Sequence, residues 1–311
     1  EKTSQASVTK NQRIAFKEGD SVELTKKNKT KTSGSQLVAD EQMIQEFALG
    51  DIDKCFGPDF SIYRGRSMQR NPNGDFQLIS RVTDLQGTRM EFDKPMTLVS
   101  EYDVPGNAWY YLENSHPSNM PYSVLMEIAL QSCGFLSTHS GAILSYPELD
   151  LCYRNLEGNG TLLSNPELHG KTVVNEVELL STVSSGDTII QTHNFSLSCN
   201  GQQFYHGDTM FGYFTREALE AQVGLDGGKN IPLWIEQNPE QKSTELDLNS
   251  NNFRKILGEN SMHQHFCLSS GKLSFSDKIV LVPNGGKFGK GYAYAYKKVN
   301  QDDWFFPCHF H

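Results

Sequence analysis

Residues 110–140 read YYLENSHPSNMPYSVLMEIALQSCGFLSTHS. From Pro121 onward this stretch is apolar on nearly every side for about five turns, the profile of a helix lying inside a core rather than on its surface. Pro121 fits the first turn, where a missing N–H is no loss, Asn119 or Ser118 can cap the start, and Ser140-Gly141 marks the stop. Between Asn114 and Pro147 the only Asp, Glu, Lys or Arg is Glu127. A lone carboxylate inside such a helix must be paired, protonated or functional. His116 lies on the loop that feeds the helix, so an imidazole and a carboxyl approach the same helix N-terminus.

Outward from the helix, the sequence predicts strands. Two β-rich runs, 76–85 and 96–104, precede it after the turn Asn71-Pro72-Asn73-Gly74, and a short helix over 37–56, ended by Gly57-Pro58, comes before them. Four more runs follow, 149–163, 171–184, 187–199 and 202–214, with Asn200-Gly201 as a hairpin signal between the last two. One buried helix among many antiparallel strands is economical only if a curved sheet wraps the helix, an α+β arrangement. Residues 1–38 have the polar profile of a solvated linker, so the chain looks excised from something longer. Residues 221–250 read as a second linker, anchored by Trp234, between a domain at 39–220 and a further segment at 251–311.

That further segment begins the pattern again. A short helix at Asn252–Leu257 ends at Gly258, and strand runs 273–282 and 292–299 flank the turn Pro283-Asn284-Gly285-Gly286. Both copies run strand, turn, Phe-x-Lys, strand, then Trp and His, and the second stops at WFFPCHFH where its central helix should start.

The 311 residues, 37% of them hydrophobic, suffice for proper cores, and the formal charge of −9 argues against a nucleic-acid partner. Six cysteines without a C-x-x-C pair read as reduced thiols. No run approaches a membrane span and no signal peptide shows, so the expectation is a soluble cytoplasmic protein. His263-x-His265 and His309-x-His311 lack a third ligand at metal spacing, GGKFGKGY is better explained as a hairpin turn than a phosphate loop, and G-x-S-x-G is absent. Cys133 reads as core and His139 as a surface or C-terminal charge partner.

Phe288-Gly289-Lys290-Gly291-Tyr292 through Asp303-Trp304-Phe305-Phe306-Pro307-Cys308-His309-Phe310 resembles the β-hydroxyacyl-acyl-carrier-protein dehydratases of the β-hydroxydecanoyl type, whose FDKGY…DLWFFGCHF carries a histidine base. In the first copy, His116, Met120-Pro121 and Glu127-x-x-x-Gln131 resemble that family's His, Met-Pro and Asp-x-x-x-Gln. Tandem copies behind a linker look like the dehydratase region of a polyunsaturated fatty acid synthase. The resemblance implies a hotdog fold, a long helix wrapped by an antiparallel sheet, working as a dimer or a fused double hotdog. Three departures stand out: Glu127 replaces Asp, Tyr122 follows Met-Pro in place of Gly, and the His-to-acid spacing is shorter by about three residues.

Dehydration of a 3-hydroxyacyl thioester needs a base for the α-proton, an acid for the leaving hydroxyl and donors for the thioester oxygen. The resemblance implies His116 or His309 as base, Glu127 as acid, amides near Tyr122 and Ser123 as oxyanion donors, and Gln131 beside the substrate. It implies no metal and no cofactor beyond the phosphopantetheine arm of an acyl carrier protein. It also implies other megasynthase domains as partners and cross-pairing, with Glu127 facing His309. Plainer readings stay open: His116 as a loop histidine capping the helix, Glu127 as a structural hydrogen-bonder to Gln131, and the whole as a non-catalytic hotdog that binds acyl chains or scaffolds a neighbouring site. A hotdog thioesterase is a more distant alternative.

Overall fold

The computed structural model describes residues 37–116, 118–224, 226–250 and 269–309. Where the sequence predicts one helix over 37–56, two form, α1 (Glu41–Leu49) and α2 (Ile52–Phe56). Asp40 caps α1 by accepting from the Met43 N–H at 2.9 Å. Gly50 separates the two helices because the Glu46 carboxylate folds back over it to accept from Asp51 N at 2.9 Å, into space where a Cβ would collide. Phe47 and Phe56 then pack on Phe135, with ring centroids 6.0 and 4.8 Å away.

The predicted strand at 76–85 is shorter than expected: a 3-10 turn, Gly74–Phe76, comes first, and β1 spans Arg81–Gln86. Then come β2 (Met96–Asp103), the single turn α3 (Trp109–Leu112) and the central helix α4 (Tyr122–His139). β3 (Leu151–Leu162), β4 (Thr172–Ser185), β5 (Thr188–Cys199), β6 (Gln202–Thr215) and α5 (Arg216–Glu220) complete this copy. Asn200 and Gly201 turn the β5–β6 hairpin with φ of 52° and 76°, as the sequence predicts. The sheet runs β1-β2-β4-β5-β6-β3, every neighbour antiparallel. It wraps α4, which packs against β2, β4 and β5, and strict burial alternation along β5 marks the face turned to the helix. A long helix enclosed by a curved antiparallel sheet is the hotdog fold.

Side chains that look unremarkable in sequence fix α4 inside its sheet. Buried hydrogen bonds reach it from Gln69 Nε2 to Gly134 O (3.0 Å), from Asn175 Nδ2 to Ile128 O (3.3 Å) and between Ser100 and Ser132 (2.7 Å). No side chain caps the α4 start. Asn119, expected there, instead accepts from Asn165 through Oδ1 at 3.0 Å. At the other end Ser140 and left-handed Gly141 stop the helix as predicted. His139, expected at the surface or as a C-terminal charge partner, is half-buried: it packs against Phe56, its carbonyl accepts from Arg89, and burial with the Arg89 charge pushes its imidazole down to about 4.

The expected linker at 221–250 ends in a strand, because β7 (Thr244–Asp247) is the first of a three-stranded sheet with β8 (Lys278–Val282) and β9 (Tyr292–Tyr296). Trp234 anchors the intervening chain against Tyr292, at 5.1 Å between rings. The last element is α6 (Phe305–His309). The predicted helix at Asn252–Leu257, His263, His265 and His311 lie outside the described residues. Among the described residues no helix is long and apolar enough to cross a membrane.

Candidate active site

Position 127 of α4 carries a carboxyl partly open to solvent, and desolvation raises its pKa against the opposing effect of a hydrogen bond from Gln131. Gln131, one turn on, is buried and fully committed. Its Oε1 accepts from Leu78 N at 2.8 Å, while its Nε2 donates to Phe76 O at 2.8 Å and to Glu127 Oε1 at 3.1 Å. One amide thus ties the acid to the backbone of residues 76–78. The Phe76 ring in turn meets the second copy, 5.8 Å from the His309 ring and 5.7 Å from that of Trp304. Glu127, Gln131, Phe76 and His309 therefore form one chain of contacts across the two copies.

His116 stays outside this set. It is exposed, its carbonyl accepts from Asn114 Nδ2 (3.1 Å) and Asn119 N (3.0 Å), and its imidazole makes no hydrogen bond to Glu127. Tyr122 is exposed as well, but its hydroxyl donates to Gly160 O on β3 at 2.7 Å and its ring stands edge-on to Tyr205 at 5.5 Å. Ser123 is exposed at the first turn of α4, where the amides of both residues lie free of intramolecular acceptors among the described residues. These amides are the helix N-terminus that the resemblance implies as an oxyanion site.

Asn73 and Phe76 escape the sequence reading, for a physical reason. Asn73 holds the second copy through its N–H to Cys308 O (2.9 Å) and its Nδ2 to Pro307 O (2.8 Å). Phe76 acts through a main-chain carbonyl. Only the turn signal Asn73-Gly74 flagged this loop. A second buried cluster lies deeper: Tyr153 donates to Ser137 Oγ at 2.8 Å, and Ser137 bonds His193 Nε2 at 3.0 Å. Burial pushes His193 down to about 3, so it sits there neutral.

Burial favours the neutral form of the Glu127 carboxyl, the form that can donate a proton. The His309 ring lies against Phe76, and amides unpaired among the described residues lie at the α4 N-terminus, the positive end of the helix dipole.

Residues 268–311 match the FabA-like domain family. One of the subunits of the polyunsaturated fatty acid synthase of Thraustochytrium sp. is 32% identical over 277 residues, which cover 85% of this chain and 18% of the relative. Among solved structures, the dehydratase heterocomplex ApeI:P of Xenorhabdus doucetiae aligns with a TM-score of 0.35 at 13% identity, over 48% of this chain and 90% of that one. A hot-dog-like protein of Thermanaerovibrio acidaminovorans aligns with a TM-score of 0.30 at 13% identity, over 42% and 87%. By sequence, the chain is a homologue of one stretch of a polyunsaturated fatty acid synthase, about a fifth of that relative's length, and ends in a FabA-like segment.

Proposed function

We propose that this chain dehydrates 3-hydroxyacyl groups to 2-enoyl thioesters on an acyl carrier protein, within a megasynthase that makes polyunsaturated fatty acids. One observation supports it most: the segment bearing His309 is seated on Phe76, whose carbonyl shares the Gln131 amide with Glu127. In this reading the His309 imidazole removes a proton from C2, the electron pair forms the C2=C3 bond, and the C3–O bond breaks. Glu127 donates its proton to the departing hydroxyl, which leaves as water. Proton exchange with solvent returns both groups to their starting forms. The Tyr122 and Ser123 amides hold the thioester oxygen as negative charge grows there. Gln131 positions Glu127 and does not reach substrate, since both ends of its amide are engaged by the protein. The reaction uses no cofactor besides the phosphopantetheine arm, and its setting is the cytoplasm.

The test is hydration of a crotonyl thioester surrogate, or dehydration of the 3-hydroxyacyl form. Glu127→Gln and His309→Ala are each expected to lower turnover at least about a hundredfold with an unchanged near-UV circular dichroism spectrum. Unchanged turnover in both overturns the proposal. Tyr122 motivates a second reading, a non-catalytic acyl binder: its ring and hydroxyl tie the α4 start to β3 and Tyr205. Acyl thioester binding with no turnover in the unmodified chain identifies that case.

A further inference from the structure

The two copies meet through contacts that repeat about a local twofold axis. In the first copy Asn73 (φ −125°, ψ 178°) opens the 3-10 turn Gly74–Phe76; in the second Ser270 (φ −127°, ψ 179°) opens Gly271–Leu273. Trp109 Nε1 donates to Asp75 O at 2.9 Å, and Trp304 Nε1 to Lys272 O at 3.1 Å, the same bond in each copy. Between copies, Asn73 N donates to Cys308 O at 2.9 Å, and Ser270 N to Glu113 O at 2.8 Å. Glu113 and Cys308 are each the fourth residue after their tryptophan. The two indoles meet at 5.0 Å. An interface in which each partner presents the same patch is the kind two identical hotdogs would form.

The symmetry breaks at two pairs of positions. Asp75 and Lys272 are equivalent, and they form an ion pair with each other, the Lys272 ammonium lying 5.4 and 5.8 Å from the Trp109 and Trp304 ring centres. Glu113 and Cys308 are equivalent too. The Glu113 carboxylate accepts from Lys272 N at 2.5 Å and fills the space beside Gly271, while the Cys308 sulfur faces Gly74.

We propose that Asp75 and Lys272, with Glu113 behind them, decide which hotdogs pair: they admit one first copy with one second copy and reject two like copies. The main-chain bonds and the tilted indole contact would form equally well in any pairing, so they hold the interface without discriminating. The side chains at the axis do discriminate. Two first copies would bring two Asp75 and two Glu113 carboxylates together, and two second copies would set Lys272 against Lys272 with no carboxylate from this set. Only the mixed couple sets an ammonium against a carboxylate at the axis. The pairing holds whether or not the composite site is catalytic.

Charge reversal in the full chain tests this, read by hydrogen exchange at the Asn73 and Ser270 amides that cross the interface. Asp75→Lys and Lys272→Asp are each expected to speed exchange at both amides about tenfold, and the double swap Asp75→Lys/Lys272→Asp to bring it back within about threefold of the unmodified chain. Raising the salt concentration is expected to narrow the gap for the single variants, because an electrostatic contact is screened and a packing defect is not. Single variants that exchange as slowly as the unmodified chain, or a double swap as fast as the singles, overturn the proposal.

Discussion

At the scale of single residues, burial sets opposite proton affinities in two parts of the core. Glu127 is pushed up, so in the folded chain it holds its proton above the ordinary glutamate value of 4.5. Its contribution to stability is therefore complete below 4.5 and is lost as pH rises through the folded value. Glu127→Gln removes that loss, so the variant is expected to be inactive yet no less stable than the parent at pH 8, measured by thermal melting. His193 and His139 behave in the opposite way. Their folded values are about 3 and about 4 against an ordinary 6.5, so between those limits the unfolded chain binds protons that the folded chain refuses. Stability is full above pH 6.5 and falls on acidification, with a limiting slope of about 1.4 kcal/mol per pH unit for each histidine. His193→Gln is expected to remove about half of that slope between pH 6 and 4.5, whatever it does to stability at pH 7. The sequence showed Glu127 as the one charge in its helix, but nothing in it marked His193, since a strand position reveals its burial only once the sheet is built.

Elements were most legible where periodicity carries a physical cost. The five long strand runs came within a few residues of their observed ends, and along β2, β4 and β5 burial alternates between the face on α4 and the face outside. The elements missed are those whose residues face solvent or bend locally. β7 has three exposed residues of four and looked like linker, and the Gly50 break depends on Glu46 curling back, which no pattern announces. α4 itself was read correctly, and it permits two tests. Leu125, 3% exposed, faces the core, so Leu125→Asp buries an unpaired charge and is expected to cost more than about 4 kcal/mol, abolishing the cooperative melt. Gly134→Ala would put a Cβ 3.1 Å from Gln69 Nε2, which donates to Gly134 O and whose Oε1 accepts from Tyr213 at 2.6 Å. The side-chain network on that face would have to shift, and a lower melting temperature with the fold retained is the expected result.

For the molecule as a whole, the local twofold axis raises the question of a second site, mirrored from the first, with His116 as its base. The spacing from tryptophan argues against it. His309 is the fifth residue after Trp304 and comes to rest on Phe76, whereas the fifth residue after Trp109 is Asn114, and His116 is the seventh. The two additional residues are taken up in a curl: the Asn114 amide bonds the carbonyls of His116 and Asn119 at 3.1 and 3.0 Å, and the imidazole turns to solvent. The sequence contained this difference, but its meaning emerged only when the two tryptophans superposed as equivalent. In the proposed reading the mirrored position therefore holds Asn114 where the first site has His309, and one functional site per chain is the expectation. His116→Ala is expected to keep turnover within about threefold of the parent, and titration with a tight-binding acyl thioester analogue is expected to saturate at one equivalent per chain. A hundredfold loss in His116→Ala, the size expected when a general base is removed, or saturation at two equivalents would mean that the first copy's histidine works after all.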